Sequence, residues 1–286
     1  MASIRFSLVC LLLGAAVLAG CDTGTASDAA EPSPGPVPES AVAKTSDNPA
    51  DAVTRAAPLG RLPDTATPTH YALSLTVPPA EPRFTGEVAI RVTLHERAEG
   101  LYLHGRDLNV THAAVSTPDG AMVRASYQQL TDDGVAYVAF SRPIDAGDIT
   151  LAFAWDAPFN ERLLGLYRVE EDGRAYAFTQ FESIFARQAF VSFDEPRFKT
   201  PYDATLTVAE DHVAIFNTEA VETLDAPDGM KRLRFATTEK LPTYLVALAV
   251  GALDVVEAPD IPPSRYRKRP LPLRGVAAHG KGADLA

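Results

Sequence analysis

Apolar and polar residues alternate with a period of two along much of the chain beyond residue 60. Tyr71, Leu73, Leu75 and Val77 fall on one side of such a stretch. Val88, Ile90, Val92 and Leu94 repeat the pattern, and Ile149, Leu151, Phe153 and Trp155 repeat it again. Successive side chains of a strand point to opposite faces, so this alternation predicts strands with one buried face. Four Asp-Gly pairs (Asp119-Gly120, Asp133-Gly134, Asp172-Gly173, Asp228-Gly229) lie between apolar runs. Asp-Gly supplies the positive φ angles that tight hairpin turns need. The run from Tyr244 to Val256 is nearly all apolar and reads as a strand covered on both faces; periodicity alone leaves a buried helix open. There is no convincing amphipathic helix and no repeat at a fixed period. The expected fold is all-β, an antiparallel sandwich of more than one sheet.

The beginning of the chain follows other rules. Arg5 precedes an apolar run from Phe6 to Leu18, closed by Ala19, Gly20 and Cys21. A basic start, a short apolar stretch and small residues at its end form an export signal. The run falls short of the roughly 20 apolar residues that span a bilayer. Leu18-Ala19-Gly20-Cys21 resembles the bacterial lipobox. That resemblance implies a lipid on Cys21, attachment to a membrane through it, and an exported lipoprotein of the bacterial cell envelope. An ordinary secretory signal that happens to hold a cysteine is the alternative. Residues 22–60 are rich in Ala, Pro, Ser, Thr and Asp and poor in large apolar side chains, a composition that cannot offset its own ordering entropy. They read as a disordered tether with a reach on the order of 35 Å. The chain thus divides into a signal (1–21), a tether (22–60), a β domain (61–258) and a connector (259–286).

Composition narrows the partners. The 286 residues carry a formal net charge of -11, which repels a phosphate backbone and argues against nucleic acid. The basic run Arg265, Arg267, Lys268 and Arg269 is interrupted by Tyr266 and reads as part of the solvated connector. Cys10 and Cys21 are the only cysteines, which leaves the body without a disulfide or a cysteine-metal framework.

Two stretches carry a family resemblance. The first is Phe84-Thr85-Gly86-Glu87-Val88-Ala89-Ile90, followed by Leu101-Tyr102-Leu103-His104 and Leu108. The second is more specific. Gly165-Leu166-Tyr167-Arg168 is followed by Thr179-Gln180-Phe181-Glu182, then Ala186-Arg187, Ala189-Phe190, Phe193-Asp194-Glu195-Pro196 and Lys199. In order and spacing this resembles the amino-terminal domain of the aminopeptidase N family, zinc metallopeptidases of the gluzincin type. Thr243 to Gly251 is similar to that domain's last strand. Val191-Ser192 stands where the family has Pro-Cys, and Phe216-Asn217 where it has Ser-Asn.

The resemblance implies a saddle-like β domain ahead of a catalytic domain that would hold zinc. It also implies that Gln180 and Glu182 bind the free α-amino group of a peptide substrate. A carboxylate beside an amide oxygen offers fixed acceptors to the three N–H donors of an ammonium. On spacing alone, Glu182 as a surface charge and Gln180 as a strand-end hydrogen bonder would be preferred. Arg187, Asp194, Glu195 and Lys199 read as charge partners fixing the loop, and Phe185, Phe190 and Phe193 as core. Zinc chemistry of this kind needs His-Glu-x-x-His on a helix. The six histidines (His70, His95, His104, His112, His212, His279) contain no pair four apart, and His95-Glu96 lies in a strand pattern. The expectation is therefore no catalytic or metal-ligating residue in this chain, which would be an inactive piece of a longer zinc aminopeptidase. A stand-alone lipoprotein β module binding peptides or a protein partner is the alternative. The anchor is checked by growing cells with a fatty-acid probe: the chain is expected to take up label and Cys21→Ser to lose it. Label that survives the substitution would contradict the lipobox reading.

Overall fold

The structure, a computed structural model, describes residues 55–285; Cys21, the signal and most of the tether lie outside the described residues. Sixteen strands make up the described chain. The first seven are β1 (Ala66–Thr76), β2 (Arg83–Leu94), β3 (Ala98–His104), β4 (Asn109–Ser116), β5 (Met122–Gln129), β6 (Val135–Ile144) and β7 (Gly147–Pro158). A hairpin of β8 (Gly165–Glu171) and β9 (Arg174–Gln180) comes next. Beyond it lie β10 (Tyr202–Ala209), β11 (Val213–Phe216), β12 (Ala220–Ala226), β13 (Met230–Phe235) and β14 (Leu248–Gly251). The last two are β15 (Leu253–Ile261) and β16 (Leu271–Ala278). Among the described residues, helix is confined to short 3-10 turns, so the all-β expectation holds.

Ten strands form one sheet in the order β12-β13-β10-β1-β2-β7-β4-β5-β6-β3, and four form a second in the order β11-β14-β9-β8. β5 pairs with β4 through Met122–Arg124 and with β6 through Ala125–Gln129. One strand shared in this way turns the corner between two packed halves of the large sheet. Pairing is antiparallel with the exception of β1 and β10, which run parallel with Tyr71 opposite Tyr202. The two tyrosine rings stack at 4.8 Å. β15 and β16 pair as a two-stranded ribbon whose turn-bearing half, residues 258–273, is a compact unit separate from the main body. The basic run lies in the turn between these two strands.

The alternation seen in sequence is the burial pattern of the sheet. Tyr71, Leu73 and Leu75 of β1, Val88, Ile90 and Val92 of β2, and Ile149, Leu151, Phe153 and Trp155 of β7 are all buried. β1, β2 and β7 are consecutive in the sheet, so these residues share one apolar face. The Asp-Gly pairs turn as expected in two ways. Asp172-Gly173 and Asp228-Gly229 have positive φ at both residues, the type I′ requirement. At Asp119-Gly120 and Asp133-Gly134 only the glycine is positive, and each aspartate accepts from a threonine hydroxyl two residues earlier, Thr117 and Thr131.

The run Tyr244–Val256 departs from its single-strand reading. A 3-10 turn at Thr243–Leu245 precedes β14, and β15 starts afresh at Leu253. Asn217 explains the break: its amide donates to Leu245 O at 2.8 Å and its carbonyl accepts the Ala247 N–H at 2.8 Å. Backbone groups captured by a side chain are lost to a continuous ladder.

Gly86 sits opposite Trp155 in the β2–β7 pairing. A Cβ there would fall 2.3 Å from Trp155 Cζ2 and 2.8 Å from a Leu75 methyl. The indole cannot easily retreat, because its Nε1 donates to Ala189 O at 3.1 Å. Alanine in a strand normally gains roughly 0.5–1 kcal/mol over glycine, but overpacking costs about 1–3 kcal/mol. Gly86→Ala is therefore expected to destabilise by about 1–2 kcal/mol net. Denaturant unfolding followed by Trp155, the chain's single tryptophan, reads the loss directly. Exposed Thr85→Ala serves as control, within about 0.5 kcal/mol of the parent. An unchanged midpoint for Gly86→Ala would show that the indole yields.

Candidate functional site

Strand β9 ends at Gln180, which pairs with Gly165 at the start of β8. Gln180 and Glu182 are exposed, while Phe181 between them is 2% exposed. The phenyl ring is the anchor. It meets Phe190 edge-on at 5.9 Å, and Phe190 in turn meets Tyr71 and Tyr202 edge-on. The strand's alternation is thereby carried one residue past the hairpin, which turns both polar side chains to the same open side. Gln180 Oε1 accepts the Glu182 N–H at 3.4 Å, and Phe181 O accepts the Phe185 N–H at 2.9 Å to close the loop. The peptide bond between Glu182 and Ser183 is cis. Among the described residues, the Glu182 carboxylate has no ion-pair partner. Ile184, beside it, is 41% exposed.

The segment after the loop is pinned from below. Arg187 and Asp194 are both buried and pair at 2.9 Å from Nε to Oδ2. Arg187 also donates from Nη1 to Asp133 O at 2.9 Å and from Nη2 to Asp194 O at 3.1 Å. Asp194 Oδ1 accepts from the Thr243 hydroxyl. Gly134, with φ +91°, leaves the passage this guanidinium needs: a Cβ there would lie 2.9 Å from Arg187 Cδ. Glu195 accepts the Leu62 N–H and pairs with Arg197, which also reaches Asp64 and Leu62 O. Three of the four residues expected to be charge partners therefore serve as such. Lys199 does not: it is exposed, and no ion pair forms to it among the described residues. Phe190 and Phe193 are core, whereas Phe185 is half-buried.

His104 belongs to this cluster, and sequence reasoning missed it. It ends a strand whose alternate residues Leu101 and Leu103 are the recognisable core positions, which leaves His104 to look like the solvent face. It is buried instead, exchanges backbone hydrogen bonds with Ser192, and its Nδ1 accepts the Asp194 N–H at 3.1 Å. The proton of the neutral ring is therefore on Nε2. Burial, and then the nearby Arg187 guanidinium, push its pKa down to about 3. Nearby, the Thr131 hydroxyl holds the Asp133 carboxyl below its usual range.

An open cleft of about 380 Å³ lies between Arg106, Phe159, Asn160, Arg162 and Gln188. Neither Gln180 nor Glu182 lines it, so the candidate pair stands on open surface. Among the described residues, no cluster of three His, Cys, Asp or Glu side chains is placed to hold a metal. His95 hydrogen-bonds Thr67 and Asp64 O, which accounts for its ring. Among the described residues, the loop offers two acceptors for a cationic group.

Residues 67–245 match the model of the Peptidase M1 N-terminal domain. Over 206 residues the chain is 32% identical to a puromycin-sensitive aminopeptidase of Caenorhabditis elegans, a match covering 69% of this chain and 22% of that protein. It is 27% identical over 204 residues to an aminopeptidase N of Acetobacter pasteurianus, covering 69% of this chain and 56% of the relative. With Aminopeptidase M1-B of Oryza sativa the identity is 30% over 212 residues, 72% of this chain and 24% of the plant protein. The chain thus spans between about a fifth and just over half of these relatives.

The neutral His104 gives the fold a pH signature with a definite sign. In the unfolded chain a histidine takes up its proton near pH 6.5, whereas the folded ring does so at about 3. Between those values the unfolded state binds more protons, so stability falls as pH is lowered. Between pH 6.5 and 4 the loss from this group is about 3 kcal/mol. His104→Asn, whose Oδ1 can accept the same N–H, is expected to flatten the stability–pH curve across this window, measured by urea unfolding at several pH values. A slope equal to the parent's would mean that His104 is not held neutral.

Proposed function

The chain belongs to the family of Peptidase M1 N-terminal domains, and on that footing we propose that it is the amino-terminal part of an exported, lipid-anchored zinc aminopeptidase. In this reading Gln180 and Glu182 receive the α-ammonium of the peptide whose first residue is removed. The observation that carries it is the exposed Glu182 carboxylate, free of any ion pair among the described residues, beside an exposed amide on a loop locked by Phe181. An ion with no internal partner is available to an external one. A surface carboxylate is common, but one fixed by a buried aromatic on a rigid hairpin keeps its position, which recognition of a chain end requires. The aminopeptidase names of the relatives support the same substrate class.

The roles divide between two parts of the complete protein. Glu182 supplies the charge and Gln180 a second acceptor, so that a substrate is held by its free amine and an internal peptide bond, with no ammonium, is not. Zinc, which would be bound by residues outside this chain, supplies an activated water for attack on the scissile carbonyl. The residues described here bind and orient; by themselves they are expected to cleave nothing. The lipid on Cys21 and the tether would hold the enzyme at the cell envelope.

The test needs the complete enzyme, built from the reading frame downstream. An in-frame His-Glu-x-x-His there supports the proposal, and a stop codon directly after residue 286 would instead favour a stand-alone peptide-binding module. Removing one partner of a desolvated charge pair costs roughly 2–5 kcal/mol, on the order of 30-fold or more. Glu182→Ala is therefore expected to lower kcat/KM at least tenfold, and Gln180→Ala to lower it less. Exposed Glu87→Ala, far from the loop in sequence, should leave it unchanged. If Glu182→Ala keeps kcat/KM within about twofold at an unchanged melting temperature, the amine-binding role is wrong.

A further inference from the structure

The turn of the β15–β16 ribbon gathers positive charge in a chain whose net charge is negative. Arg265, Arg267, Lys268 and Arg269 fall within five residues, bracketed by Pro262-Pro263 and Pro270. With these four set aside, the rest of the chain carries -15 against a total of -11.

The turn is built, and one of its cations builds it. Ser264 N–H donates to Arg267 O at 2.7 Å, while Ser264 Oγ accepts the N–H groups of Tyr266 and Arg267 at 3.3 and 3.2 Å. Arg267 folds its guanidinium back onto the backbone, donating to Ile261 O at 3.2 Å, Pro262 O at 3.0 Å and Arg269 O. The other three cations are exposed, and among the described residues they have no ion-pair partner. Tyr266 is 79% exposed, with the Arg265 guanidinium 4.4 Å above its ring. The clipped turn presents an aromatic ring among cations.

We propose that this turn docks on an anionic phospholipid surface, with Arg265, Lys268 and Arg269 at headgroup phosphates and Tyr266 at headgroup level. The proposal rests on the reading above of a chain held at a membrane. Two arguments favour lipid over other polyanions. A headgroup plane offers many phosphates to one small patch, whereas a nucleic acid long enough to bind would also meet the acidic remainder. An amphipathic ring such as tyrosine's suits the membrane–water boundary. Each cation near an anionic surface is worth about fivefold in partition, so the three free ones supply on the order of 100-fold. That is too little to recruit the chain from dilute solution. It suffices to orient a chain whose tether already keeps it at millimolar effective concentration.

The experiment uses the chain from residue 21 onward as the unacylated Cys21→Ser variant, so that neither the apolar signal nor a lipid contributes to vesicle binding. Co-sedimentation is measured with phosphatidylcholine vesicles, with and without about one third phosphatidylglycerol. Binding is expected only with phosphatidylglycerol and is expected to vanish at about 0.5 M salt. Arg265→Gln, Lys268→Gln and Arg269→Gln together, with Arg267 kept to hold the turn closed, should lower it on the order of 100-fold. Tyr266→Ala should lower it less, and unchanged Trp155 fluorescence confirms the fold. Equal binding of the triple variant, or equal binding to phosphatidylcholine alone, overturns the proposal. So does capture by polyglutamate with the same dependence on the three cations but no vesicle binding, which would point to an acidic polypeptide. The fatty-acid labelling of Cys21 decides the lipoprotein reading separately.

Discussion

Arg187 and Asp194 lie together out of water, and the segments around the candidate loop are arranged to make that tolerable. Bringing two such ions into an apolar interior costs several kcal/mol each, and their attraction repays it only when the remaining donors and acceptors are met. Here they are met from four directions. Asp133 O comes from the β5–β6 turn, Thr243 from the approach to β14, the Asp194 carbonyl from the pair's own segment, and His104 accepts the Asp194 N–H from the end of β3. His104 can join only as a neutral ring, since a second cation would stand against Arg187. The histidine's depressed pKa is thus a consequence of the ion pair as well as of burial. A pair of this kind contributes little net stability over an apolar replacement, but losing either member would strand a buried charge. Its contribution is position: four stretches far apart in sequence must come into register before it can form.

That position is transmitted upward through apolar contacts. Trp155 of β7 hydrogen-bonds Ala189 O, next to Phe190, and Phe190 packs on Phe181 as well as on the stacked Tyr71 and Tyr202. The loop bearing Gln180 and Glu182 therefore rests on the seam where β1 and β10 run parallel. Aromatic side chains suit such a platform, since each buries a large area at the cost of only two torsions. Ser192 shows where the fit is imperfect. Its hydroxyl is buried without a partner among the described residues, at a position where the resembled family has cysteine. A thiol is content in an apolar niche, whereas a stranded hydroxyl costs about 1–3 kcal/mol.

Much of this architecture was legible in the sequence because it depends on local chemistry. Alternation identified β1, β2 and β7, and Asp-Gly pairs marked the β4–β5, β5–β6, β8–β9 and β12–β13 turns, because both follow from backbone geometry and side-chain direction alone. Motif order pointed to the loop of Gln180 and Glu182 through the family resemblance. Other features depend on contacts between distant segments and leave no local trace. Parallel pairing of β1 with β10 arises from where the chain returns after the loop, and no pattern in either strand requires it. The division of the Tyr244–Val256 run is imposed by Asn217, some thirty residues upstream. Nothing local marks His104 as buried, because its partner Asp194 lies ninety positions away. Charge alone does not reveal the Ser264 and Arg267 hydrogen bonds that shape the basic run.

The exposure of Glu182 bears directly on what the loop can do. An ammonium meeting a carboxylate in open water gains about 0–1 kcal/mol, too little to select a chain end. The same contact gains several-fold more when water is excluded, because the effective dielectric falls. The loop as described supplies geometry and charge but not dryness. Ile184, two residues from Glu182 in sequence, is a 41% exposed apolar residue that a covering surface could bury. A covering surface that buried this side chain would gain apolar area while desolvating the carboxylate, so burial elsewhere would offset the cost of drying the ion. On the proposed reading, discrimination between a free amine and an internal peptide bond would be a property of two surfaces meeting. What the loop itself brings is an exposed carboxylate with no ion-pair partner among the described residues.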